Sequence, residues 1–267
     1  MCPHSIAAIN GLAPADKEAI YRRFIPRVLL ERFRIPPDLL DAQGRPLGRI
    51  ACASGATDVV VDLRHEFEAR DPLLYAHLTD TINGQVHVLL YVFNDPASPR
   101  FDVDRMPDGT PTEFGTFRRN LEAEVAALRA ALAPGQVRRG LRILKQSIEA
   151  FEDFISSLGH DAFFVEPLAY HNAVVFERYG FAYQQGRKLM VEINEGFRPG
   201  GELQRTLDES TPFRQPGMEC SILGRSWAVH DGILGSPFAG VTMYKRVGAL
   251  AGVDTFPDGA WWPAGCA

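Results

Sequence analysis

Apolar residues Ile20, Phe24, Val28, Leu29 and Phe33 recur at helical spacing in residues 15–33, with acidic side chains early and basic ones late. That pattern predicts an amphipathic helix whose charges suit its dipole. Pro26 lies inside it and predicts a kink or break, because proline removes an amide and crowds the preceding turn. Short β-branched or apolar runs at 49–53 and 57–63 predict strands. Two longer runs, 73–80 and 86–93, flank Asn83-Gly84 and predict a hairpin. A loop rich in Pro, Asp and Gly follows, then residues 117–132, FRRNLEAEVAALRAAL, predict a strong helix stopped by Ala133-Pro134-Gly135.

Residues 138–193 then read as helix, strand, helix, strand. A long helix opens at Arg138-Arg139-Gly140, and a buried strand ends at Glu166-Pro167. A shorter helix finishes at the corner Tyr179-Gly180-Phe181, and the closing strand is placed around Lys188. The last third predicts a loop at 194–201, a short helix at 201–207, a Pro-rich turn at 211–217, a helix or loop near 226–232 and a strand at 240–247. Trp261 and Trp262 are expected to pack on the body of the protein, since two exposed indoles are costly.

Composition narrows the class. The chain has 267 residues, 46% hydrophobic and 23% charged, enough for one large core or two modest ones. A net charge of -5 argues against general nucleic-acid binding, which needs a surplus of clustered Lys and Arg. No apolar run is long enough to span a bilayer and no basic start precedes an apolar block, so the expectation is a soluble, cytoplasmic protein without membrane partners. Cys2, Cys52, Cys220 and Cys266 are too far apart in sequence for a zinc-finger pattern and read as ordinary thiols.

Three groups of residues carry candidate chemistry. Glu166, at the end of a strand expected to be buried, is suited to take a proton from an amine, and His171 follows five residues later as its acid/base partner. Ser226, His230 and Asp231 supply the side chains of a hydrolytic triad, but adjacent His230 and Asp231 point in different directions on any regular element. His77 and His87, on the two hairpin strands, offer a metal-binding alternative with His65, Glu66 and Glu68 nearby.

The order hairpin, helix, strand, helix, strand, with Val137-Arg138-Arg139-Gly140-Leu141-Arg142 at the main helix start and Asn172-Ala173 through Gly180-Phe181 in the next, resembles the GNAT acetyltransferase family. In that family a segment Gln/Arg-x-x-Gly-x-Gly/Ala opens the helix after the fourth strand and its amides hold the coenzyme A pyrophosphate, as orphan amides at a positive helix end can. Gly140 matches that motif. The resemblance implies that Arg138, Arg139, Gly140, Leu141 and Arg142 bind the cofactor, the arginines through their side chains. Where the family often keeps a tyrosine as general acid this chain has Phe176, and Tyr179 is the substitute hydroxyl.

The expected fold is therefore α/β (α+β): a GNAT-like mixed sheet flanked by helices. Residues 1–48 form an N-terminal helical arm, 49–195 the core with an insertion at 96–136, and 196–267 a C-terminal extension packed on it. The implied function is acyl transfer from acetyl-CoA or another acyl-CoA to a small amine, with Glu166, His171 and Tyr179 as catalytic residues, no metal, no nucleic-acid partner, and room for a homodimer. Two alternatives stand beside it: a catalytically silent ligand-binding or interaction protein of the same architecture, and a metal-dependent enzyme using the sheet histidines.

Overall fold

A computed structural model describes residues 3–113 and 118–261 of the chain. Its helices are α1 (Ile6–Asn10), α2 (Pro14–Tyr21), α3 (Arg27–Phe33), α4 (Leu121–Arg129), α5 (Leu144–Ser157), α6 (Tyr170–Arg178), α7 (Arg187–Gly196), α8 (Glu202–Arg205) and α9 (Ile222–His230). The strands are β1 (Gly48–Ala51), β2 (Asp58–Leu63), β3 (Leu74–Asp80), β4 (Val86–Phe93), β5 (Ala162–Val165), β6 (Ala182–Gln185) and β7 (Thr242–Arg246), hydrogen-bonded in the order β1-β2-β3-β4-β5-β7-β6. The protein is mixed α/β, as expected. Phe117, Cys2, Cys266 and Trp262 lie outside the described residues.

The chain divides into two compact units. The first comprises residues 1–97, 140–166 and 244–250; the second comprises 98–139, 167–243 and 251–267.

In the first unit β1, β2, β3 and β4 pair antiparallel in sequence. Alternation sorts their side chains: Val59, Val61, Leu63, Leu74, Ala76, Leu78, Val86 and Val88 are buried, while Val60, Asp62, Tyr75, His77, Thr79 and His87 on the other face are partly exposed. The buried face continues onto β5 through Phe163 and Val165. There the Phe151 ring of α5 lies 4.8 Å from Phe163 and meets Phe154 and Phe24 at 5.5 and 5.7 Å. The hairpin turns at Thr81–Gln85, where Gly84 takes φ 73°, a left-handed conformation that glycine adopts without penalty. Pro26 breaks the first amphipathic stretch as predicted. A 3-10 turn, Arg22–Phe24, follows α2, and Pro26 becomes the N-cap of α3.

The second unit is built around α9, whose residues from Ile222 to Val229 are all buried. A helix enclosed on every side is a core element, so the stretch that reads in the sequence as a helix or loop carrying Ser226, His230 and Asp231 is the unit's centre. Trp227 stacks on Phe213 with centroids 5.0 Å apart and donates its indole N–H to Leu132 O at 2.8 Å, so the polar handle is satisfied as it is buried.

Two expected elements are corrected. Lys188, read as part of a closing strand, lies in α7; the strand is the preceding Ala182–Gln185. Met190, Ile193 and Phe197 are the buried residues there, an i, i+3, i+7 spacing that a short apolar run conceals. Gly186 enters α7 at φ 90°, and an added Cβ would lie 2.8 Å from Val241 Cα and 2.9 Å from Gly240 O. Gly186→Ala is therefore expected to destabilise the protein by about 1–3 kcal/mol in urea unfolding, the cost of a strained backbone position.

The second correction concerns the main helix, which opens at Leu144 and not at Arg138. Arg142 takes a left-handed conformation, φ 59°, which no continuous right-handed helix admits.

Candidate active site

The distinctive feature of the first unit is the junction of β4 and β5. Their pairing is parallel, and it joins only His87 to Phe164 and Val88 to Val165. The last bond runs from Glu166 N–H to Val88 O at 3.2 Å. β5 ends there, whereas β4 continues to Phe93, its other edge held by β3. A bulge accompanies the parting: His77 faces Leu90 and Leu78 faces Val88, leaving Leu89 as the extra residue of β4. Bulges bend a strand and increase its local twist, which helps turn β4 away from β5.

The loop before α5 lies at the far end of that open edge. A Cβ on Gly140 would sit 3.8 Å from Phe93 O, so this segment passes close to the end of β4. Arg32 of α3 donates to Leu141 O at 3.2 Å and pairs with Asp95 at 3.7 Å, fixing the loop. Leu141 is buried, an anchor rather than a ligand-facing residue, and Arg142 is exposed. Ile143, the N-cap of α5, supplies no side-chain cap to the first-turn amides.

Arg138 and Arg139 belong to the second unit. The Arg138 guanidinium donates to Ser98 O, and Arg139 N–H donates to Ser98 Oγ at 3.1 Å. Both hold the 98–139 segment against itself.

Glu166, expected to be buried, is exposed, because it lies one residue past the strand end. Its electrostatic partner in the unit is His87. Burial pushes the His87 imidazole below the ordinary histidine range, and the Glu166 charge opposes that shift. His87 Nε2 is buried and has no hydrogen-bond partner among the described residues, and the ring meets Phe164 edge-on at 6.4 Å.

His171, in the second unit, sits in the first turn of α6 and is 5% exposed. Its Nδ1 lies 2.8 Å from Ser226 Oγ and its Nε2 lies 3.2 Å from the Asn172 amide nitrogen. Both ring nitrogens are therefore engaged, Nδ1 with the Ser226 hydroxyl and Nε2 with the Asn172 amide. Burial, with the nearby His230, pushes its pKa down to about 3. Both facts make His171 a packed structural residue of this unit rather than a base. In place of the hydrolytic set read in the sequence, Ser226 pairs with His171, His230 with Glu124, and Asp231 with Arg119 and Arg214.

Tyr179 is the C-cap of α6. Gly180 N–H bonds Glu177 O and Phe181 N–H bonds Phe176 O, and the Phe176 and Phe181 rings pack at 4.9 Å. This helix ending, with glycine left-handed and an apolar contact across it, gives Phe176 a packing reason to be phenylalanine.

His77 and His87 are not cross-strand partners, since His77 faces Leu90 and His87 faces Thr79. Among the described residues no group of three or more His, Cys, Asp or Glu is placed to hold a metal ion. No helix among them is long and apolar enough to cross a membrane.

Sequence reasoning chose Glu166 and, for metal binding, His87, but missed that they are neighbours. Their proximity depends on a parallel register between residues 77 positions apart, and no local signal carries that. No family model, curated protein or solved structure matches this chain.

Proposed function

We propose that the protein is an acyl-CoA-dependent acyltransferase acting on a small amine, with its cofactor site in the first unit. The observation that carries the reading is the parallel β4–β5 pair that parts after Val88 and Val165 and leaves the Leu89–Phe93 edge without a strand partner on that side among the described residues. An extended pantetheine arm with its two amides matches such an edge, as a peptide does when it adds to a sheet. The return of the chain past Gly140 to the start of α5 supports the same reading.

In this scheme the uncapped amides at the start of α5 and the exposed Arg142 meet the pyrophosphate. The thioester then lies toward the junction, near Glu166. Positioning of amine against thioester supplies much of the rate enhancement.

Calorimetric titration with acetyl-CoA, followed by an assay of thiol release with a panel of amines, tests the proposal. Binding and amine-dependent release are expected, and Arg142→Ala is expected to weaken binding about tenfold, the loss of one charge-assisted contact. A chain that does not bind acetyl-CoA refutes the proposal. Binding without turnover favours a second reading, a ligand-binding protein of the same architecture, to which Phe176 at the position of the family's general acid lends support.

A further inference from the structure

The sheet face opposite α5 carries a short aromatic row across three strands. His87 on β4 meets Phe164 on β5 at 6.4 Å, and Phe164 meets Tyr244 on β7 at 6.3 Å. All three residues are partly exposed, unlike Val86, Val88, Phe163 and Val165, which form the buried face of the same strands. Glu166 lies two residues beyond Phe164 and so follows it on this face, with its carboxylate exposed and acting on His87. The row therefore ends where β4 and β5 part.

Other groups on the face are already engaged or uncharged. Thr79, the cross-strand partner of His87, donates its hydroxyl to Thr57 O at 3.1 Å. His77, two residues along β3, lies 3.7 Å from Asp58. Lys245, next to Tyr244, points its charge into the buried pair with Glu152 at 3.2 Å. His87 Nε2 is buried without a hydrogen-bond partner among the described residues, and such an atom calls for a ligand or water to complete it.

We infer that His87, Glu166, Phe164 and Tyr244 form the acceptor end of the acyl-transfer site and take a primary amine with an aromatic or apolar body. This inference rests on the acyltransferase reading and adds to it the base and the substrate class. The Glu166 carboxylate and the ring faces hold the ammonium, as anionic and aromatic groups do for organic cations. One proton passes from the ammonium to the His87 imidazole and on to solvent. The freed lone pair attacks the thioester carbonyl, the C–N bond forms, and the C–S bond breaks with its electrons going to sulfur. The second N–H proton ends on the thiol, so the products are an amide, coenzyme A and the proton released through His87. Burial, which favours the neutral imidazole, leaves it able to accept the proton in the first of these steps.

The test compares wild type, His87→Gln, His87→Asn and Glu166→Gln, using acetyl-CoA with 2-phenylethylamine and, as a polar control, ethanolamine. The aromatic amine is expected to have the higher kcat/KM. Both His87 variants are expected to bind acetyl-CoA as wild type does, to lose on the order of a hundredfold in kcat, and to lose the rise of kcat/KM with pH that a histidine base gives. Glu166→Gln, at an exposed position, is expected to raise KM for the amine and to lower the His87 pKa further in an NMR titration of the free protein. Wild-type turnover whose rate and pH profile survive in the His87 variants overturns the inference while leaving the acyltransferase reading intact, as does a His87 titration indifferent to Glu166→Gln. Preference for ethanolamine overturns the substrate class. Absence of acetyl-CoA binding in wild type overturns the underlying reading and the inference with it.

Discussion

Lowering the pH from 7 to 4 is expected to cost the protein about 3–4 kcal/mol of stability through His171 alone. The imidazole is buried against Ser226 and its pKa is pushed down to about 3, whereas in the unfolded chain it returns to about 6.5. Between those values the unfolded state binds a proton that the native state refuses. Linkage then makes stability rise with pH at about 1.4 kcal/mol per unit across that window, so the contribution is complete above pH 6.5 and drains away as pH falls toward 3. His87, with its pKa also lowered, acts in the same direction. Urea unfolding of wild type and His171→Asn at pH 7, 6, 5 and 4 measures the effect. The variant, less stable at pH 7, is expected to show the shallower pH dependence, and parallel curves for the two proteins would rule His171 out as the source.

That behaviour could not be read from the sequence, because it depends on burial of His171 beside residues of α9, Ser226 and His230, that are distant in the chain. The same holds for most of what misled the sequence reading. Polar residues of α9 resemble part of a hydrolytic set when read in order, yet each is spent inside the second unit: Arg225 on Glu219 O at 2.6 Å and Asn194 Oδ1 at 2.8 Å, Ser226 on His171, His230 on Glu124. Local patterns fared better. The Asn83-Gly84 turn, the alternation of β2 and β3, the break at Pro26 and the Gly180-Phe181 corner are dictated by backbone sterics and by which face is buried, and both are written in neighbouring residues. The opening of α5 was misplaced because nothing in an arginine announces a left-handed conformation, and Arg142 adopts one. Glu166 was expected to be buried on the strength of the apolar run before it, but that run ends one residue sooner, at Val165.

Removing Arg119 is expected to destabilise the second unit by about 3–5 kcal/mol, since it leaves two buried carboxylates short of a cation. The Arg119 guanidinium bonds Glu124 at 2.6 and 2.9 Å and Asp231 at 3.0 Å, and the side chains of Glu124 and Asp231 are only 5% and 8% exposed. Burial works against the charged form of Glu124, but hydrogen bonds from His230 and Arg119 hold its carboxyl below the usual carboxylate range. Each carboxylate has a further partner: Asp231 has Arg214 at 3.0 Å and the Thr211 hydroxyl at 2.8 Å, and Glu124 has His230 at 3.1 Å. A double-mutant cycle exposes the difference between breaking the pair and replacing it. Arg119→Met alone leaves buried Glu124 without its guanidinium partner; Arg119→Met with Glu124→Leu removes both charges and is expected to cost less than the sum of the single substitutions. Burial also shields the pair from ions, so the coupling energy is expected to change little between low and high salt, unlike that of the exposed Lys188–Glu192 pair. Strict additivity in the cycle, or a coupling that vanishes in salt, would mean that the network contributes no more than a surface ion pair.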